Sequence, residues 1–552
     1  MYIVLAHLTV FLASTVVWNL WSVRRLKDSL HLLQLDGYSN TRLFKWLLHL
    51  PRERLFALPV SLVIAALFLA AILLPDWLVL LLPAIWVSLG FYLFIKTPVA
   101  AQKKPLVYTA RAKRILLVAI LLDVLITCSL FLTLRSSLKC EADTSIFTVF
   151  LVSILASPLL VVLANIFLIP IQKSINFYYL ASAKKKLLSV SPVIIGITGS
   201  YGKTSTKYFL AKILSERFSV LMTPGSFNTL LGISLVINKE LKPHHRIFIA
   251  EIGAYVRGDV TEKCKFLNPS IGILTTIGPE HFERFKTMEN IVRTNYELIE
   301  SLPGKGLAVM NAENEYTIKL IDETSNCKVV RFGLEDSVVE KEKLRVTARN
   351  IITSPQGLSF EIEDLLTKKS LLATCRILGR HNIANILAGA SVGLEMGLTL
   401  EEVVRGIAKI EAAPHRLQLL SRPGGVTIID DAYNSNPVGA EEALKALGEF
   451  KIGKKILITP GMVELGELEE EKNREFGKQA ASVCDHVILV GVNQTKPILQ
   501  GLQARNFPAD RLFVCQDLNE AIVQMNKLVV AGDVVLFEND LPDQYNEKKV
   551  AV

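Results

Sequence analysis

Residues 193–205 read VIIGITGSYGKTS, and this stretch decides the fold of the larger part of the chain. Its first six residues are mostly β-branched, which is typical of a buried strand, and apolar side chains follow at helical spacing up to about residue 217. A strand, a glycine-rich turn and a helix opening with Lys-Thr suit phosphate binding, because glycines let backbone N–H groups close around an anion. We therefore expect Lys203 to reach the β- and γ-phosphates of a nucleotide and the Thr204 hydroxyl to ligate Mg²⁺.

Two later strand patterns run into polar residues. Residues 247–250 (IFIA) lead to Glu251, and residues 271–275 (IGILT) lead to a loop that contains His281. Ligands of parallel sheets gather at the carboxyl ends of the strands, so Lys203, Glu251 and His281 should converge there. Glu251 is a reasonable metal ligand on its own, whereas an isolated His281 would more often be an ordinary loop histidine.

The composition separates a basic, apolar third from a mildly acidic remainder. The 552 residues are 51% hydrophobic with a mean hydropathy of +0.38, which excludes a disordered or fibrous protein. Residues 1–190 hold 19 Lys and Arg against 7 Asp and Glu, and the rest holds 42 against 45. Nucleic-acid binding needs clustered positive charge, so no nucleic acid is expected as a partner of the larger part. The seven cysteines include no CxxC pair, which argues against a disulfide framework or a zinc ribbon.

Five apolar stretches are long enough to cross a bilayer, which takes about 20 residues each. They are Tyr2–Val23, Phe56–Pro75, Trp77–Ile95, Ile115–Leu134 and Ile146–Pro170. A cleaved signal peptide is a poor alternative for the first, because no basic segment precedes it. The intervening segments 24–55 and 96–114 and the segment after Pro170 are basic, so the N-terminus is predicted outside and the rest of the chain in the cytoplasm. This describes a multi-pass protein of the cell membrane, with the lipid bilayer as a partner.

Two polar features of this region have more than one interpretation. Asp123 lies near the middle of the fourth predicted span, where a carboxylate is costly. It could contact a substrate head group or a proton, or it could be protonated or bonded to a neighbouring helix. The basic run at 184–186 is either a tether to anionic lipids or a solvated charge run.

Beyond residue 190 a series of short motifs follows in order. They are GSYGKTS at 199–205, TPGSFN at 223–228, EIG at 251–253, HFE at 281–283, NAEN at 311–314, GRHNIAN at 379–385, PHRL at 414–417, DDAYNSNP at 430–437 and MVELG at 462–466. Together they resemble the Mur ligases, most closely the D-alanyl-D-alanine-adding type. The resemblance covers about residues 191–540, and its specificity lies in the combination of motifs.

The resemblance implies an ATP-dependent amide ligase of cell-wall (peptidoglycan) precursor synthesis that uses ATP and Mg²⁺. A substrate carboxylate takes the γ-phosphoryl group to give an acyl phosphate, which an amino acid or a D-Ala-D-Ala-type dipeptide then opens. The implied fold is an α-helical membrane domain with a basic segment at 1–190, an α/β P-loop ATP-binding domain at 191–418 and a doubly wound, Rossmann-like domain at 419–552. The residues of the last domain agree, since strand patterns alternate with helical ones there, at 426–430, 455–459, 486–490 and 534–537.

The resemblance also implies roles for single residues. The nucleotide would lie on the loop formed by Gly199, Ser200, Tyr201, Gly202, Lys203, Thr204 and Ser205. Thr204, Glu251 and His281 would ligate Mg²⁺, and the catalytic groups would be Lys203, Glu251, His281 and Arg416, the last on the γ-phosphate. Asn382 and Asn385 would contact adenine. Asp431 would order the nucleotide from the C-terminal domain, and Asn228 would lie beside the acyl acceptor site.

Three departures from the family pattern are visible. Asn295 stands where many Mur ligases have a carbamylated lysine that bridges to a second metal, so the second Mg²⁺ site should be altered. The domain that grips the UDP end of the substrate is missing, and the apolar stretches stand in its place. The sequence Glu538-Asn539-Asp540 replaces a Lys-Gly-Ser, which puts the identity of the added amine in doubt.

These departures leave alternatives open. The acid substrate could be a different lipid-linked or polymer acid presented at the bilayer. A different class of protein is a nucleotide-gated membrane transporter, although neither an ABC-type signature nor a histidine-switch motif is apparent. A non-catalytic scaffold that binds ATP without using it is motivated by Asn295.

Overall fold

The computed structural model describes residues 2–35, 37–49, 105–136, 142–335, 343–422, 424–433 and 435–541. The second and third predicted membrane spans, at 56–75 and 77–95, lie outside the described residues. The chain divides into two compact units, residues 1–177 and 178–552, and each is described by itself.

The described part of the first unit is helical. Its helices are α1 (Tyr2–Leu35), α2 (Asn40–His49), α3 (Ala110–Ser136) and α4 (Ala142–Val190), the last of which continues into the second unit. Leu26 of α1, Ile115 of α3 and Val161 of α4 are fully buried in a shared apolar core.

Two helical segments in the described part are long and apolar enough to cross a membrane, Ala110–Ser136 and Ala156–Val190. Such helices also occur in the cores of soluble proteins, so two of them support a membrane domain only weakly. The five predicted spans are therefore not shown.

Asp123 has partners on two other helices. Its Oδ2 accepts a hydrogen bond from the Ser22 hydroxyl of α1 at 2.8 Å, and that hydroxyl lies 2.9 Å from Ser153 Oγ of α4. All three side chains are buried. This contact is the one expected of a carboxyl group bonded to neighbouring helices.

The second unit contains two sheets among its described residues, and the first has nine strands. They are β1 (Val193–Thr198), β2 (Val220–Met222), β3 (Ile247–Glu251), β4 (Ile271–Leu274), β5 (Leu307–Asn311), β6 (Lys328–Leu334), β7 (Val346–Ser354), β8 (Gly357–Asp364) and β9 (Lys369–Cys375). Their order in space is β2-β3-β1-β4-β5-β6-β7-β8-β9. The pairs from β2 to β7 are parallel and the last two are antiparallel. Every residue of β3 and β4 is buried, as expected of parallel strands covered on both faces.

Helices cover both faces of this sheet. They are α5 (Lys203–Leu214), α6 (Leu230–Glu240), α7 (Asp259–Leu267), α8 (Phe282–Phe285), α9 (Met288–Glu300), α10 (Glu315–Glu323), α11 (Asn382–Glu395) and α12 (Leu400–Ala408). Side-chain oxygens of Thr229, Thr287, Asn314 and Thr399 cap the helices that follow them. Phe209, Leu210 and Ile213 of α5 are buried between the sheet and α11, which fixes the loop that precedes α5.

The second sheet has the predicted doubly wound form. Its strands are β10 (Gln418–Arg422), β11 (Val426–Asp431), β12 (Lys455–Thr459), β13 (His486–Val490), β14 (Leu512–Cys515) and β15 (Val534–Glu538), and its helices are α13 (Pro437–Gly448), α14 (Glu469–Val483), α15 (Lys496–Gln503) and α16 (Leu518–Leu528). The order in space is β10-β11-β15-β12-β13-β14, all parallel except β10. The four strands predicted from the sequence are present, and the two edge strands were not predicted.

Two lysines of the basic run at 184–186 donate hydrogen bonds within the second unit. Lys184 Nζ donates to the Phe266 carbonyl at 2.6 Å, and Lys186 Nζ donates to the Asn238 carbonyl at 2.8 Å. Both carbonyls lie in the last turns of helices, where cations are favourable. These two lysines therefore hold the end of α4 against the first sheet domain, and describing them as a solvated charge run was wrong.

Candidate active site

The loop between β1 and α5 depends on two glycines. Gly199 and Gly202 have φ angles of +141° and +81°, which side-chain-bearing residues rarely adopt. A Cβ atom would lie 2.0 Å from Thr275 Oγ1 at the first position and 2.3 Å from Asn385 Oδ1 at the second. Only glycine fits at either place, so the tight turn is set by the sequence.

Side chains of this loop tie it to the segment that carries His281. The Ser200 hydroxyl donates to the Gly278 carbonyl at 2.8 Å, and the Tyr201 hydroxyl donates to the Pro279 carbonyl at 3.0 Å. Burial raises the pKa of Tyr201, which keeps this hydroxyl protonated. The phosphate loop and the loop after β4 thus form one connected surface.

Lys203 lies over the loop. Its Nζ donates to the carbonyls of Gly199 at 2.5 Å and Ser200 at 2.8 Å, and it pairs with the Glu280 carboxylate at 2.9 Å. An ammonium held by two carbonyls and one carboxylate can exchange those partners for phosphate oxygens. Glu280 was not among the predicted site residues.

Thr204 and Glu251 meet, as the sequence predicted, and a second lysine joins them. Glu251 Oε2 accepts hydrogen bonds from Thr204 Oγ1 at 3.0 Å and from Lys207 Nζ at 2.8 Å. Lys207 is fully buried and also donates to the Gly225 carbonyl. The ammonium compensates the charge of Glu251 and links α5 to the segment that carries Asn228.

An open cleft of about 380 Å³ lies beside the loop. Its lining comprises Gly199, Lys203, Asn228, Gly253, Ala254, Tyr255, Glu280, His281, Phe285, Ile291 and Asn295. The lining combines charged side chains, those of Lys203 and Glu280, with apolar ones, those of Phe285 and Ile291. Polar and apolar surface therefore meet in one cleft beside the phosphate loop.

His281 lies at this cleft with one ring nitrogen occupied. Its Nδ1 is 2.5 Å from Glu464 Oε2, and its ring centroid is 4.8 Å from that of Tyr255. Glu464 comes from the segment after β12, in the C-terminal domain. The second ring nitrogen, Nε2, lies 3.7 Å from Glu280 Oε1 at the same cleft.

The donor set fits Mg²⁺ held together with a nucleotide. Within the described residues no cluster of three or more His, Cys, Asp and Glu side chains could hold a metal by itself. Mg²⁺ is commonly bound through one or two protein groups plus phosphate oxygens. The Thr204 hydroxyl, the Glu251 carboxylate and the His281 imidazole are suitable donors, and the nearby glycine cradle would place the phosphates.

The chain matches two family descriptions, "Mur ligase middle domain" over residues 197–393 and "Mur ligase, glutamate ligase domain" over residues 415–538. It is 30% identical over 380 residues to the UDP-N-acetylmuramoyl-tripeptide–D-alanyl-D-alanine ligase of Mycobacterium leprae, a match that covers 64% of this chain and 72% of the relative. The chain belongs to the Mur ligase family.

Two further comparisons define how much of a Mur ligase is matched. The ligase of the same name from Escherichia coli is 29% identical over 299 residues, which is 54% of this chain but only 64% of the relative, less than two thirds of its length. The crystal structure of MurF ligase from Thermotoga maritima in complex with ADP has a TM-score of 0.58 at 26% identity, covering 66% of this chain and 80% of that chain. The family resemblance and the α/β fold of both ligase domains are confirmed.

In this Mur ligase Asn295 is buried at the cleft, and both the oxygen and the nitrogen of its side-chain amide are hydrogen bonded. Its Oδ1 accepts from the Thr198 hydroxyl at 2.8 Å, and its Nδ2 donates to the Ile291 carbonyl at 2.9 Å. A neutral, hydrogen-bonded amide is a poor replacement for a negatively charged metal ligand. The alteration of the second metal site stays a prediction.

Asn382 and Asn385 lie behind the phosphate loop. Asn385 Oδ1 accepts from the Thr206 hydroxyl at 3.1 Å, and its Nδ2 donates to Asn382 Oδ1 at 3.0 Å. Asn382 Nδ2 donates to the Leu378 carbonyl at 2.8 Å. Both side chains are buried and support α5 against α11, and contact with adenine stays a prediction.

Arg416 and Asp431 lie where the C-terminal domain begins. The Arg416 guanidinium lies 4.7 Å from the centre of the Tyr433 ring, and the Tyr433 hydroxyl hydrogen bonds Ser226 of the middle domain. Asp431 Oδ1 accepts from the Leu417 N–H at 3.1 Å. The Tyr433–Ser226 contact joins the two domains, and the Arg416 and Asp431 contacts order the segment where the C-terminal domain begins.

The residues that sequence reasoning missed are charged partners of predicted ones. Lys207 pairs with Glu251, Glu280 with Lys203, and Glu464 with His281. Lys207 follows Lys203 by one helical turn, so its position on the same face was an available signal. The partner of His281 is 183 positions away and could not be found from spacing.

Proposed function

We propose that this Mur ligase is a membrane-anchored, ATP-dependent ligase of the type that adds D-Ala-D-Ala in peptidoglycan precursor synthesis. Its substrates would be ATP, a carboxylate-bearing cell-wall precursor and an amino acid or dipeptide. The observation that carries this proposal is the cleft that joins Lys203 of the phosphate loop to Asn228, His281 and Asn295. The named relatives support the choice of reaction.

In the first step a substrate carboxylate oxygen bonds to the γ-phosphorus of ATP, the bond to the bridging oxygen breaks, and acyl phosphate and ADP result. Lys203 neutralises charge on the transferring group, and in-line positioning supplies most of the catalysis. The glycine loop holds the nucleotide, and Arg416, at the junction of the two domains, would contact the γ-phosphate. Asn228, which also lines the cleft, would orient the acyl group.

In the second step the amine nitrogen bonds to the acyl carbon, loses a proton, and inorganic phosphate leaves. Closure of the domains around the cleft protects the acyl phosphate from water. Thr204, Glu251 and His281 would hold Mg²⁺, which when bound neutralises phosphate charge. Lys207 keeps Glu251 and the Asn228 segment in place throughout.

The membrane anchor is part of the proposal. Leu117, Leu121, Leu125 and Leu132 of α3 are more than half exposed within the described residues. Lipid tails would cover such a surface without the cost that water imposes. With the basic loops on one side, the N-terminus would be outside and the ligase domains in the cytoplasm.

A lipid-linked acid is the second candidate for the acyl substrate. The described residues before β1 are helical, and apolar segments occupy the place where the family has its UDP-gripping domain. A substrate fixed in the bilayer would need no such domain. The amine is also open, because Glu538 stands where the family has a lysine.

One assay tests the function and separates these substrates. Detergent-solubilised full-length protein is given MgATP and D-Ala-D-Ala, with either a UDP-linked or a lipid-linked tripeptide acid, and phosphate release is measured. We expect release only when acid and amine are both present, and none with Lys203→Ala. Release that needs neither acid nor amine would contradict the ligase and favour a nucleotide-driven transporter.

Topology has its own test. A cysteine introduced at the exposed Lys305, in a variant without native cysteines, should react with an impermeant maleimide only after cells are opened. A cysteine restored at position 140 should react in intact cells, because the loop at 135–145 is predicted outside. The reverse labelling pattern would invert the proposed orientation.

A further inference from the structure

Two residues that meet across the domains share an unusual backbone conformation. His281 has a φ of +49° and Glu464 a φ of +65°. Left-handed backbone costs a side-chain-bearing residue about 1 kcal/mol or more, and such residues cluster at functional sites. Their side chains meet at 2.5 Å, and both are about four-fifths buried. The strained backbone at both ends directs the two side chains at each other.

Each partner is held by its own domain. His281 is the residue before α8, and the Arg284 N–H donates to its carbonyl at 2.8 Å. The segment that carries Glu464 is clamped by buried Asn473, whose Oδ1 accepts from the Met462 N–H and whose Nδ2 donates to the Met462 carbonyl, both at 2.9 Å. The contact therefore joins two rigid supports.

The hydrogen bond engages one ring nitrogen of His281. A carboxylate can only accept, so Nδ1 is the donor, while Nε2 lies 3.7 Å from Glu280 Oε1, beyond hydrogen-bonding distance. A carboxylate on the far nitrogen is the usual support for a histidine that ligates a metal, since it fixes the ring and makes the ligand more basic.

We propose that Glu464 is a positioning residue for His281, so that closure of the C-terminal domain completes the Mg²⁺ site. This rests on the proposed ATP-dependent function. His281 would be correctly oriented only when Glu464 arrives with its domain, together with the Tyr433–Ser226 contact. Metal binding and closure would then favour each other, because coupling between two sites is reciprocal.

The test measures metal binding without turnover. Mn²⁺ is titrated into full-length protein with a non-hydrolysable ATP analogue and free Mn²⁺ is read by electron paramagnetic resonance. We expect Glu464→Ala to weaken Mn²⁺ binding about 10- to 100-fold. Glu464→Gln should lie between, because its amide oxygen can still accept from Nδ1. The matched control is Glu467→Gln, an exposed charge change three residues away that should leave binding unchanged.

Turnover gives a second readout that a merely structural role would not move. In the Glu464 variants half-saturation by Mg²⁺ should rise, and kcat should recover in part at high Mg²⁺. Equal Mn²⁺ affinity in wild type, Glu464→Gln and Glu467→Gln would overturn the proposal while leaving the ligase function standing. If Glu464→Ala does not fold, the isosteric Gln variant decides. If wild type binds no Mn²⁺ with the analogue, the proposed function fails first and this inference with it.

Discussion

Two buried glutamates, each the last residue of a strand, have charged neighbours of opposite kinds. Glu251 closes β3 and Glu538 closes β15, and each is only 1% exposed. Glu251 has the Lys207 ammonium at 2.8 Å. Glu538 instead pairs in register with Asp431 on β11 and accepts from the Ser435 hydroxyl at 2.5 Å. Glu251 lies against an ammonium, whereas Glu538 lies beside a second acid, and the charge of Arg416 acts to lower the pKa of both members of that acid pair.

The protonation of the two sites differs accordingly. Burial lowers the pKa of Lys207, and the charge of Glu251 acts to raise it again. Burial raises the pKa of Glu538 well above its usual range, and the charge of Asp431 raises it further. Burial raises the pKa of Asp431 as well. Burial therefore favours the protonated form in the acid pair, whereas the buried ammonium of Lys207 lies against a carboxylate at 2.8 Å.

The largest effect is expected from removing the cation. Lys207→Met leaves Glu251 buried without its partner, and breaking a buried pair in this way costs about 3–5 kcal/mol. Urea unfolding of the purified protein, followed by tryptophan fluorescence and far-UV circular dichroism, measures the loss.

The control for this variant is Lys212→Met, on the same helix. Lys212 pairs with Glu411 on the surface, where both side chains are largely exposed. Its loss should cost at most about 0.5 kcal/mol. Equal destabilisation by the two substitutions would mean that burial of the Lys207–Glu251 pair has no special weight.

Lys203, one helical turn before Lys207, should affect ATP turnover more than stability. Lys203→Ala removes the ammonium over the phosphate loop and should lower ATP turnover by about 10²–10³-fold or more, as for other groups that stabilise transition-state charge. Its unfolding free energy should change far less than that of Lys207→Met, since the Lys203 side chain is partly exposed at the cleft whereas that of Lys207 is fully buried. Near-normal turnover in a folded Lys203→Ala protein would show that this loop is not the nucleotide site.

This contrast shows which features the sequence could predict. The strand–loop–helix at 193–214 follows from local pattern, and the rule for parallel sheets predicts that Lys203, Glu251 and His281 lie at one edge of the sheet. Lys207 could not be recognised as buried, because a lysine on a helix usually faces solvent. The pairs Glu464–His281 and Asp431–Glu538 join distant segments, so only the folded chain shows them. Contact of Asn382 and Asn385 with adenine is a prediction from the family resemblance. The hydrogen bonds that their amides make to neighbouring groups are visible only in the folded chain.

The acid pair should make stability depend on pH. A carboxyl group whose pKa is raised in the folded state holds a proton that the unfolded chain releases above about pH 4.3. Its contribution is complete below that pH and is lost as pH rises towards the raised pKa, by up to about 1.4 kcal/mol per pH unit. The free energy of unfolding is measured for wild type and Glu538→Gln at several pH values between 4 and 8. The difference between the two proteins gives the contribution of Glu538 protonation at each pH.

The direction in which the stability difference changes with pH can be predicted. Glu538→Gln keeps a neutral side chain at every pH, so its stability relative to wild type should increase as pH rises. The converse acid, Glu251→Gln, should be destabilised at all of these pH values, because Lys207 then lacks its counter-charge. A constant difference between wild type and Glu538→Gln would mean that Glu538 is ionised beside Asp431.

The smallest effect is expected at Asn295, where a neutral amide replaces a charged ligand. If the amide only weakens the second Mg²⁺, the enzyme should turn over but need several-fold more Mg²⁺ than Asn295→Lys supplied with bicarbonate, since a lysine can be carbamylated to give an anionic ligand. Phosphate release against Mg²⁺ concentration, with and without bicarbonate, measures this. Phosphate release by the unmodified protein should not depend on bicarbonate, because Asn295 has no amine to carbamylate and its side-chain oxygen already accepts a hydrogen bond from Thr198. Bicarbonate-dependent turnover of the unmodified protein would contradict this account. Absence of phosphate release at every Mg²⁺ concentration with every amine would instead favour a scaffold that binds ATP without ligation.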